Sequence, residues 1–519
     1  MQDGQIIPQI DSGIHGGFGY AINLFYPPLS AYLAVLANLV SPNWNIAINL
    51  SLVFTQLLAG VAMYFLVRGI TGRGSAGVIS AIAYMSYPYL ITNFTIRFAV
   101  GEQLAMAIAP FVLLGIWKII HGERGWLLLG LSTGALLLSH NLSTFIFALV
   151  SLLFLATYWR RVLTRPAIYQ LLMALAVALG VAAFFIFPLL EARVAAEYNA
   201  FVPGFMSDLP LVIRDTMWWF GPALIPSANI PFAWLGIPGL ITLAFIPLGY
   251  QRATNHLRKF IIMSLVLSAG AFFASTWLFP WDLLPESLLF IQFPWRLNMV
   301  IALLLSALAG VVYSAVWDNP HRAFAIPIAG VAALITAGLV MAPIPLQGRL
   351  NVYDHANHWM DTMLVQVADY FPTRVINYVG DGSESWSPSV LGAPQFLTRP
   401  SGPLALSGIM EFFDFTQYGR RLQMEISVQQ GGIVELPVFF YPGYQAFIDG
   451  VRAPIFESEN GFVAFLLPTP GTHQVEAYFG MSPATIAGAT VTGVTLLGLS
   501  IYAVVHSGKR TTVAACALR

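Results

Sequence analysis

Charge is what this chain has little of. Asp, Glu, Lys and Arg make up 9% of its 519 residues while hydrophobic residues reach 57%, against roughly a quarter charged in an ordinary soluble domain. No arrangement gives such a chain a wholly watery surface, so an integral membrane protein is expected. Lys plus Arg and Asp plus Glu both number 24, and the zero net charge gives no hint of a nucleic-acid partner. Cysteine is nearly absent: the single Cys516 can form no internal disulfide. The motifs of soluble enzymes are missing as well, with no G-x-x-x-x-G-K-[ST] loop, no H-E-x-x-H and no cysteine pair for a metal. The opening "MQDGQIIPQIDSGIHGGFGY" contains no Lys or Arg, which excludes the basic start of a signal peptide.

What the chain does have is long apolar runs. A spanning helix needs about twenty mostly apolar residues, and eleven runs qualify as candidates: Ile46–Leu66, Ser75–Leu90, Leu104–Ile120, Trp126–Leu138, Thr144–Tyr158, Ile168–Leu190, Phe232–Leu248, Phe260–Leu278, Leu297–Val316, Ala323–Met341 and Ala484–Val505. Between the last two, Pro343–Met481 turns polar and β-rich. Runs at Arg421–Val428, Ile433–Tyr441, Gln445–Ile448, Gly461–Leu467 and Gln474–Phe479 are separated by Gly-Gly, Pro-Gly and Asp-Gly turn signals, which predicts a small antiparallel sandwich. Tyr353–Tyr378 could supply one or two helices before it, and Gly380–Pro403 reads as loop. The expected organisation is a transmembrane domain over 1–342, an external β-rich domain over 343–481, and a last helix with a cytoplasmic tail over 482–519.

Basic residues orient the molecule, because Lys and Arg in short loops mark the cytoplasmic side. Arg68 and Arg73, Lys118 and Arg124, Arg160, Arg161 and Arg165, Arg252, Arg258 and Lys259, Arg322, and Lys509 and Arg510 fall in alternate loops or the C-terminal tail. The C-terminus is then cytoplasmic and the large domain extracytoplasmic. Two readings of the opening follow. Either Ala21–Val40 spans and Met1 is cytoplasmic, or Pro27-Pro28 breaks that run and it lies along the outer surface.

Against this topology, polar residues at the outer boundary are the functional candidates, since ionisable groups at such depths are costly. Arg97 and Glu102 lie five residues apart in "TIRFAVGEQ". The carboxylate could act as a general base or hold a divalent cation, and the guanidinium could grip a phosphate. The plainer alternative is a pair that shapes the loop, or Glu102 capping the next helix. In "SHNLS", His140 could assist a phosphate or sugar hydroxyl, or His140 and Asn141 could simply close a helical hairpin. In "QFPWR", Gln292 and Arg296 sit at the outer start of a span, where Arg296 is either a substrate contact or a snorkelling anchor. Phe293 and Trp295 by themselves suit an ordinary interfacial aromatic belt. The long external loop Glu191–Ala233, with Trp218 and Trp219, reads equally as a lid or a connector, and "YPGYQAFIDG" reads as hairpin chemistry.

These stretches carry a resemblance. "GYAINLFYPPLSAYL", "IRFAVGEQLAMAIAPFVLL", "SHNLSTF" and "IQFPWRLNMV" resemble, in order and topology, the bacterial membrane proteins labelled 6-pyruvoyl-tetrahydropterin-synthase-related, and "YPGYQAFIDGVRAPIFESENGFVAFLLPTPGTHQVEAYF" resembles the end domain of YfhO-type proteins. Both groups are similar to the GT-C superfamily. The resemblance implies a polytopic GT-C-like fold in the bacterial plasma membrane that transfers a sugar from a polyprenyl-phosphate donor to a surface glycan or lipid acceptor. Nothing in the residues supports pterin chemistry. On the same pattern Met1 falls inside the first outer loop and the first span is missing, leaving Asp11 among the acidic residues of that loop. The implied roles are Glu102, Asp11 and His140 for catalysis, Arg97, Arg296, Asn141 and Gln292 for substrate, and Glu102 for a divalent cation if one is used. The rival classes are a transporter or flippase of lipid-linked sugars and a non-catalytic scaffold for glycan assembly.

Overall fold

A computed structural model describes residues 5, 7–12, 18–196, 198, 223–225, 233–285, 291, 293–317, 322–341 and 402–516. The chain divides into two compact units that are interleaved in sequence. One holds Pro27–Ala182 and Ser207–Asn351, and the other holds Met1–Tyr26, Ala183–Met206 and Val352–Arg519. The expected helices within Tyr353–Tyr378, nearly all of the expected loop Gly380–Pro403, and most of the loop Glu191–Ala233, including Trp218 and Trp219, lie outside the described residues.

The helical elements are α1 (Ile22–Phe25), α2 (Leu29–Asn38), α3 (Trp44–Thr71), α4 (Gly74–Met85), α5 (Pro88–Thr92), α6 (Val100–Ile120), α7 (Trp126–Leu137), α8 (Asn141–Thr157), α9 (Trp159–Val162), α10 (Arg165–Ala195), α11 (Gly236–Arg252), α12 (Asn255–Ala274), α13 (Asn298–Val316), α14 (Arg322–Met341) and α15 (Pro483–Cys516). All eleven apolar runs fold as helices, but the expected eleven spans become six by length and hydropathy among the described residues: α3, α6, α10, α12, α13 with the turn before it, and α15. The reason is local. Tyr87 precedes Pro88 and is held extended, at φ −64° and ψ 131°, which ends α4 and restarts the chain as α5. The 12 residues of α7 reach only about 18 Å at 1.5 Å per residue, short of a hydrocarbon layer about 30 Å thick. The opening is also broken: Ala21–Val40 forms the four-residue α1 and the ten-residue α2 with Tyr26-Pro27-Pro28 between them, so it is not one spanning helix.

Within the helical unit α6 and α13 are the central pair, with 89% and 83% of their most apolar windows buried, whereas α15 in the other unit is 6% buried by protein. A helix apolar on every side belongs in a core or in lipid, and the two extremes illustrate both. α6 packs against α3, α7 and α8, while α13 packs against α4, α11 and α12. The α4–α13 crossing is close because its surfaces are small: Gly310 N–H donates to Ser80 Oγ at 3.0 Å, Ser80 Oγ donates to the Ala307 carbonyl at 3.3 Å, and a Cβ on Gly310 would strike the Ala76 carbonyl.

The β unit contains two antiparallel sheets sharing one core. Their strand orders are β1 (Leu404–Ala405), β4 (Gly432–Phe439), β8 (Phe462–Leu467), β7 (Ile455–Glu457) and β2 (Ile409–Tyr418), β3 (Arg421–Gln430), β9 (Gly471–Phe479), β5 (Tyr444–Ile448), β6 (Val451–Ala453). On β3 the period-two pattern buries Leu422, Met424, Ile426 and Val428. The N-terminal segment belongs to this core. Ile10, Phe18, Tyr20, Leu24 and Phe25 are buried with the strands, Phe18 stacks on Phe439 at 5.1 Å, and Phe439 N–H donates to the Phe18 carbonyl at 3.0 Å.

The Asp-Gly signal turns β5 into β6. Asp449 at φ 49° and Gly450 at φ 80° form a two-residue loop between the paired Ile448 and Val451, with both central residues in the left-handed region that a type I′ turn demands. Asp449 also accepts from the Gln474 N–H at 2.8 Å and pairs with His473 Nδ1 at 2.6 Å. The Asp449 hydrogen bond raises the His473 pKa above 6.5, and the His473 hydrogen bond lowers that of Asp449 below 3.8.

This packing sets two expectations. Gly310→Val should lower the melting temperature of the detergent-solubilised protein by the equivalent of about 2–3 kcal/mol of overpacking, while Gly330→Ala, where a Cβ meets nothing within 4 Å, should leave it unchanged; equal effects would refute the close crossing. For His473→Gln, the raised imidazole pKa contributes stability that is complete below 6.5 and lost as pH rises through the folded value. The lowered carboxyl pKa contributes stability present above 3.8 and lost as pH falls through its folded value. The melting difference between wild type and His473→Gln should therefore be largest between about pH 4 and 6.5 and shrink on either side.

Candidate functional site

The site grows from a short irregular stretch between α4 and α6. Pro88 opens α5 at a position where its missing N–H costs nothing, and the chain then widens into a π-helical turn over Asn93–Arg97. Such turns are rare and concentrate at functional sites. Phe98 stops the turn by adopting the left-handed region at φ 48°, an uncommon state for a bulky residue. α6 then begins, with Glu102 in its first turn, where the helix dipole favours a negative charge.

Tyr89, Asn93 and Arg97 recur every four residues and converge on Glu102, which is 2% exposed. Glu102 Oε1 accepts from the Tyr89 hydroxyl, from Asn93 Nδ2 at 2.9 Å and from Arg97 Nη1 at 3.0 Å, and Oε2 accepts from Arg97 Nη2 at 3.2 Å. Arg97 Nη1 also donates to Asn93 Oδ1. A buried carboxylate is tolerable only when paired and hydrogen-bonded in this way. From the turn Pro294–Leu297, just before α13, Trp295 places its ring 4.4 Å from the Arg97 guanidinium carbon and 6.1 Å from the Tyr89 ring, a cation–π contact that steadies the face of the guanidinium. Ser275 Oγ, at the end of α12, donates to the Pro294 carbonyl at 3.0 Å and anchors this turn.

Arg296 lies over the Phe293 ring at 4.9 Å and donates from Nη1 to the Ile291 carbonyl at 3.1 Å. His140 caps α8: its Nδ1 accepts the Ser143 N–H at 3.2 Å, which puts the proton of the neutral ring on Nε2. Burial pushes this imidazole down to about 4, with Glu102 opposing and Arg296 and Arg97 adding to the shift, so the ring is neutral at pH 7. Arg97, Glu102, His140 and Arg296 thus share one electrostatic environment, with two guanidiniums against one carboxylate. Asn141 is the first residue of α8. Asp11 is an exposed residue of the other unit, bridged to Tyr20. Gln292 lies outside the described residues.

The geometry speaks against a cation on Glu102. Both of its oxygens are occupied by the guanidinium, the phenol and the amide, and among the described residues no group of three or more His, Cys, Asp or Glu could hold a metal ion. Two partners escape a reading of the sequence, Tyr89 and Asn93. Their signal is the four-residue spacing Tyr89-x₃-Asn93-x₃-Arg97, and Trp295 carries the chemistry of an arginine's aromatic partner.

Glu102→Ala leaves Arg97 with no counter-charge, and should cost about 3 kcal/mol or more, while a double change to Arg97→Met and Glu102→Leu should recover much of that loss. Melting temperatures of the three proteins in one detergent check this; a double variant less stable than Glu102→Ala would show that the two charges do not depend on each other.

Known proteins share the stretch that holds these residues. A family model described as 6-pyruvoyl-tetrahydropterin synthase related domain, membrane protein, matches residues 24–343, which include Tyr89, Asn93, Arg97, Glu102, His140, Trp295 and Arg296. An uncharacterized protein of Lactococcus lactis subsp. cremoris (strain MG1363) is 25% identical over 251 residues, which are 46% of this chain and 40% of that protein; the match thus spans less than half of the relative's length. The crystal structure of ArnT from Cupriavidus metallidurans bound to undecaprenyl phosphate superposes with a TM-score of 0.40 at 15% identity, covering 66% of this chain and 58% of that one.

Proposed function

The chain belongs to the 6-pyruvoyl-tetrahydropterin synthase related family of membrane proteins, and from that premise we propose that it is a GT-C-type glycosyltransferase, moving a sugar from a polyprenyl-phosphate carrier to a glycan or lipid acceptor on the outer face of the bacterial plasma membrane. One observation carries the reading: the way Arg97 is held. A guanidinium has five N–H groups. Glu102 takes the edge formed by Nη1 and Nη2, and Asn93 takes the second Nη1 hydrogen. Among the described residues Nε–H and the second Nη2–H are left on one edge, the fork that binds a phosphate in bidentate fashion. The side chain is 24% exposed, and Arg296 adds a second positive charge nearby.

In the transfer, the acceptor hydroxyl attacks the anomeric carbon, the bond from that carbon to the phosphate oxygen breaks, and polyprenyl phosphate leaves with the negative charge. Arg97 and Arg296 stabilise that charge as it develops, without reorganising at the moment of reaction. Glu102 is a positioning residue: a carboxylate that already accepts four hydrogen bonds is a poor base, and its work is to aim Arg97. His140, Asn141 and Gln292, the last outside the described residues, are the further polar residues this reading assigns to the phosphate and the sugar. The acceptor's proton passes to an oxygen of the departing phosphate, and Asp11, in the other unit, is given no step. No step passes through a metal ion, because the described residues around Glu102 do not suit one.

The test is transfer from a panel of synthetic short-chain polyprenyl-phosphate sugars by the full chain in vesicles. Arg97→Lys should lose turnover by about 10²-fold, since an ammonium cannot supply the fork, and Glu102→Gln should lose a similar amount. Because both act through one guanidinium, the double variant should be scarcely worse than either single one. Losses that multiply in the double variant would make Glu102 an independent catalytic group, and wild-type turnover in Arg97→Lys would remove the phosphate role altogether.

A further inference from the structure

The far end of α6 carries a second polar cluster. Glu102 and His121 are separated by nineteen residues of helix and cap, about 28 Å along the axis, so one lies at each boundary of a hydrocarbon layer about 30 Å thick. Four elements meet there. Trp117 and His121 come from the end of α6, Tyr158 follows α8, Arg161 sits in α9, and Lys259 and Phe260 lie in the first turns of α12. The His121 ring lies 4.1 Å from that of Trp117 and 6.4 Å from that of Tyr158, edge-on, and Phe260 closes the box at 5.9 Å from Trp117. Lys259 Nζ sits 4.3 Å from the centre of the Tyr158 ring.

Two atoms in this box lack partners among the described residues: His121 Nε2 and the Tyr158 hydroxyl, each shielded from solvent, on a tyrosine that is 4% exposed. Such groups are costly unless something bonds to them. Their chemistry is specific. His121 Nδ1 lies 2.9 Å from the Trp117 carbonyl and so carries the proton, which leaves Nε2 of the neutral ring as a bare acceptor. Burial, opposed by the Trp117 hydrogen bond and Glu123 and aided by Arg161 and His256, keeps that ring below its usual range. The box therefore presents one acceptor, one hydroxyl and the cations Arg161 and Lys259, both exposed at its rim.

We propose that this box binds an anionic phospholipid with a hydroxylated headgroup, phosphatidylglycerol in class: its phosphate against Lys259, Arg161 and the Tyr158 hydroxyl, and its headgroup hydroxyl donating to His121 Nε2. Basic pockets between helices at a membrane surface hold anionic headgroups, and a headgroup hydroxyl supplies the donor that His121 Nε2 lacks among the described residues. Lys259, on an exposed and flexible stem, moves off the Tyr158 ring to admit the headgroup and then pairs with its phosphate. The site is independent of the sugar-transfer reading, since it lies at the opposite end of α6.

The test uses the full chain in detergent, titrated with phosphatidylglycerol, phosphatidic acid, phosphatidylcholine and inorganic phosphate, with melting temperature and lipid retention in native mass spectrometry as readouts. Phosphatidylglycerol should be retained and raise the melting temperature, phosphatidic acid less so, and phosphatidylcholine and inorganic phosphate not at all. Arg161→Gln with Lys259→Gln, both at exposed positions, should weaken phosphatidylglycerol binding by about tenfold or more. His121→Phe should abolish the preference for phosphatidylglycerol over phosphatidic acid while leaving phosphatidic acid binding in place. Equal stabilisation by phosphatidylcholine, the same effect from millimolar inorganic phosphate, or unchanged lipid binding in the doubly substituted protein would each overturn the proposal.

Discussion

A single carboxylate at the edge of the membrane dictates much of the helical unit. Burying Glu102 at the start of α6 is tolerable only if its charge is met on all sides, and meeting it requires the Tyr87–Pro88 break, the π-helical turn that carries Asn93 and Arg97, and the left-handed Phe98 that lets the chain re-enter as α6. It also requires a turn before α13 that brings Trp295 onto Arg97. The irregular backbone is therefore not slack between two helices. It is the shape the chain takes so that three side chains spaced by four residues and one aromatic face can reach the same anion. Non-helical backbone at this depth needs partners inside the protein, as where Ala99 N–H donates to the Asn93 carbonyl at 3.2 Å.

Much of this fold is legible in the amino-acid sequence. The apolar runs become helices where hydrophobicity says they should, because burial in protein or lipid rewards the same residues, and Gly432–Phe439, Phe462–Leu467 and Gly471–Phe479 form near the expected strands, since turn chemistry at Asp449–Gly450 is local. The number of spans is not legible. Hydrophobic length says nothing of a pre-proline residue that cuts a helix in two, or of a helix that ends after 12 residues. Strand β2 also escapes, because a bulge between Phe413 and Thr416, with Asp414 at φ 50°, breaks the period-two alternation that marks a half-buried strand.

At the candidate site the charged pair is readable from its position, since an Arg and a Glu at the end of an apolar run are conspicuous against so apolar a background. What each does is not. Whether a carboxylate is a base, a metal ligand or a counter-ion depends on what fills its lone pairs, and Tyr89, Asn93 and Arg97 fill those of Glu102. The likeness of the opening residues to an outer loop says nothing of Phe18 stacked on Phe439, a contact that pairs residues far apart in the chain.

That contact has a bearing on how the protein is made. The core of the β unit joins Ile10, Phe18, Tyr20 and Phe25 to strands more than four hundred residues later in the chain. At about 5–20 residues per second, these residues leave the ribosome some tens of seconds before their partners exist, and helices α2 to α14 are synthesised in the interval. Through that time Phe18, Tyr20 and Phe25 have no core to enter, and exposed apolar side chains of this kind are what chaperones shield. Completion of the strands up to Phe479 is then the event that gives those residues a core, so a ribosome that stalls before it releases a chain in which Phe18 and the β unit are both unfinished.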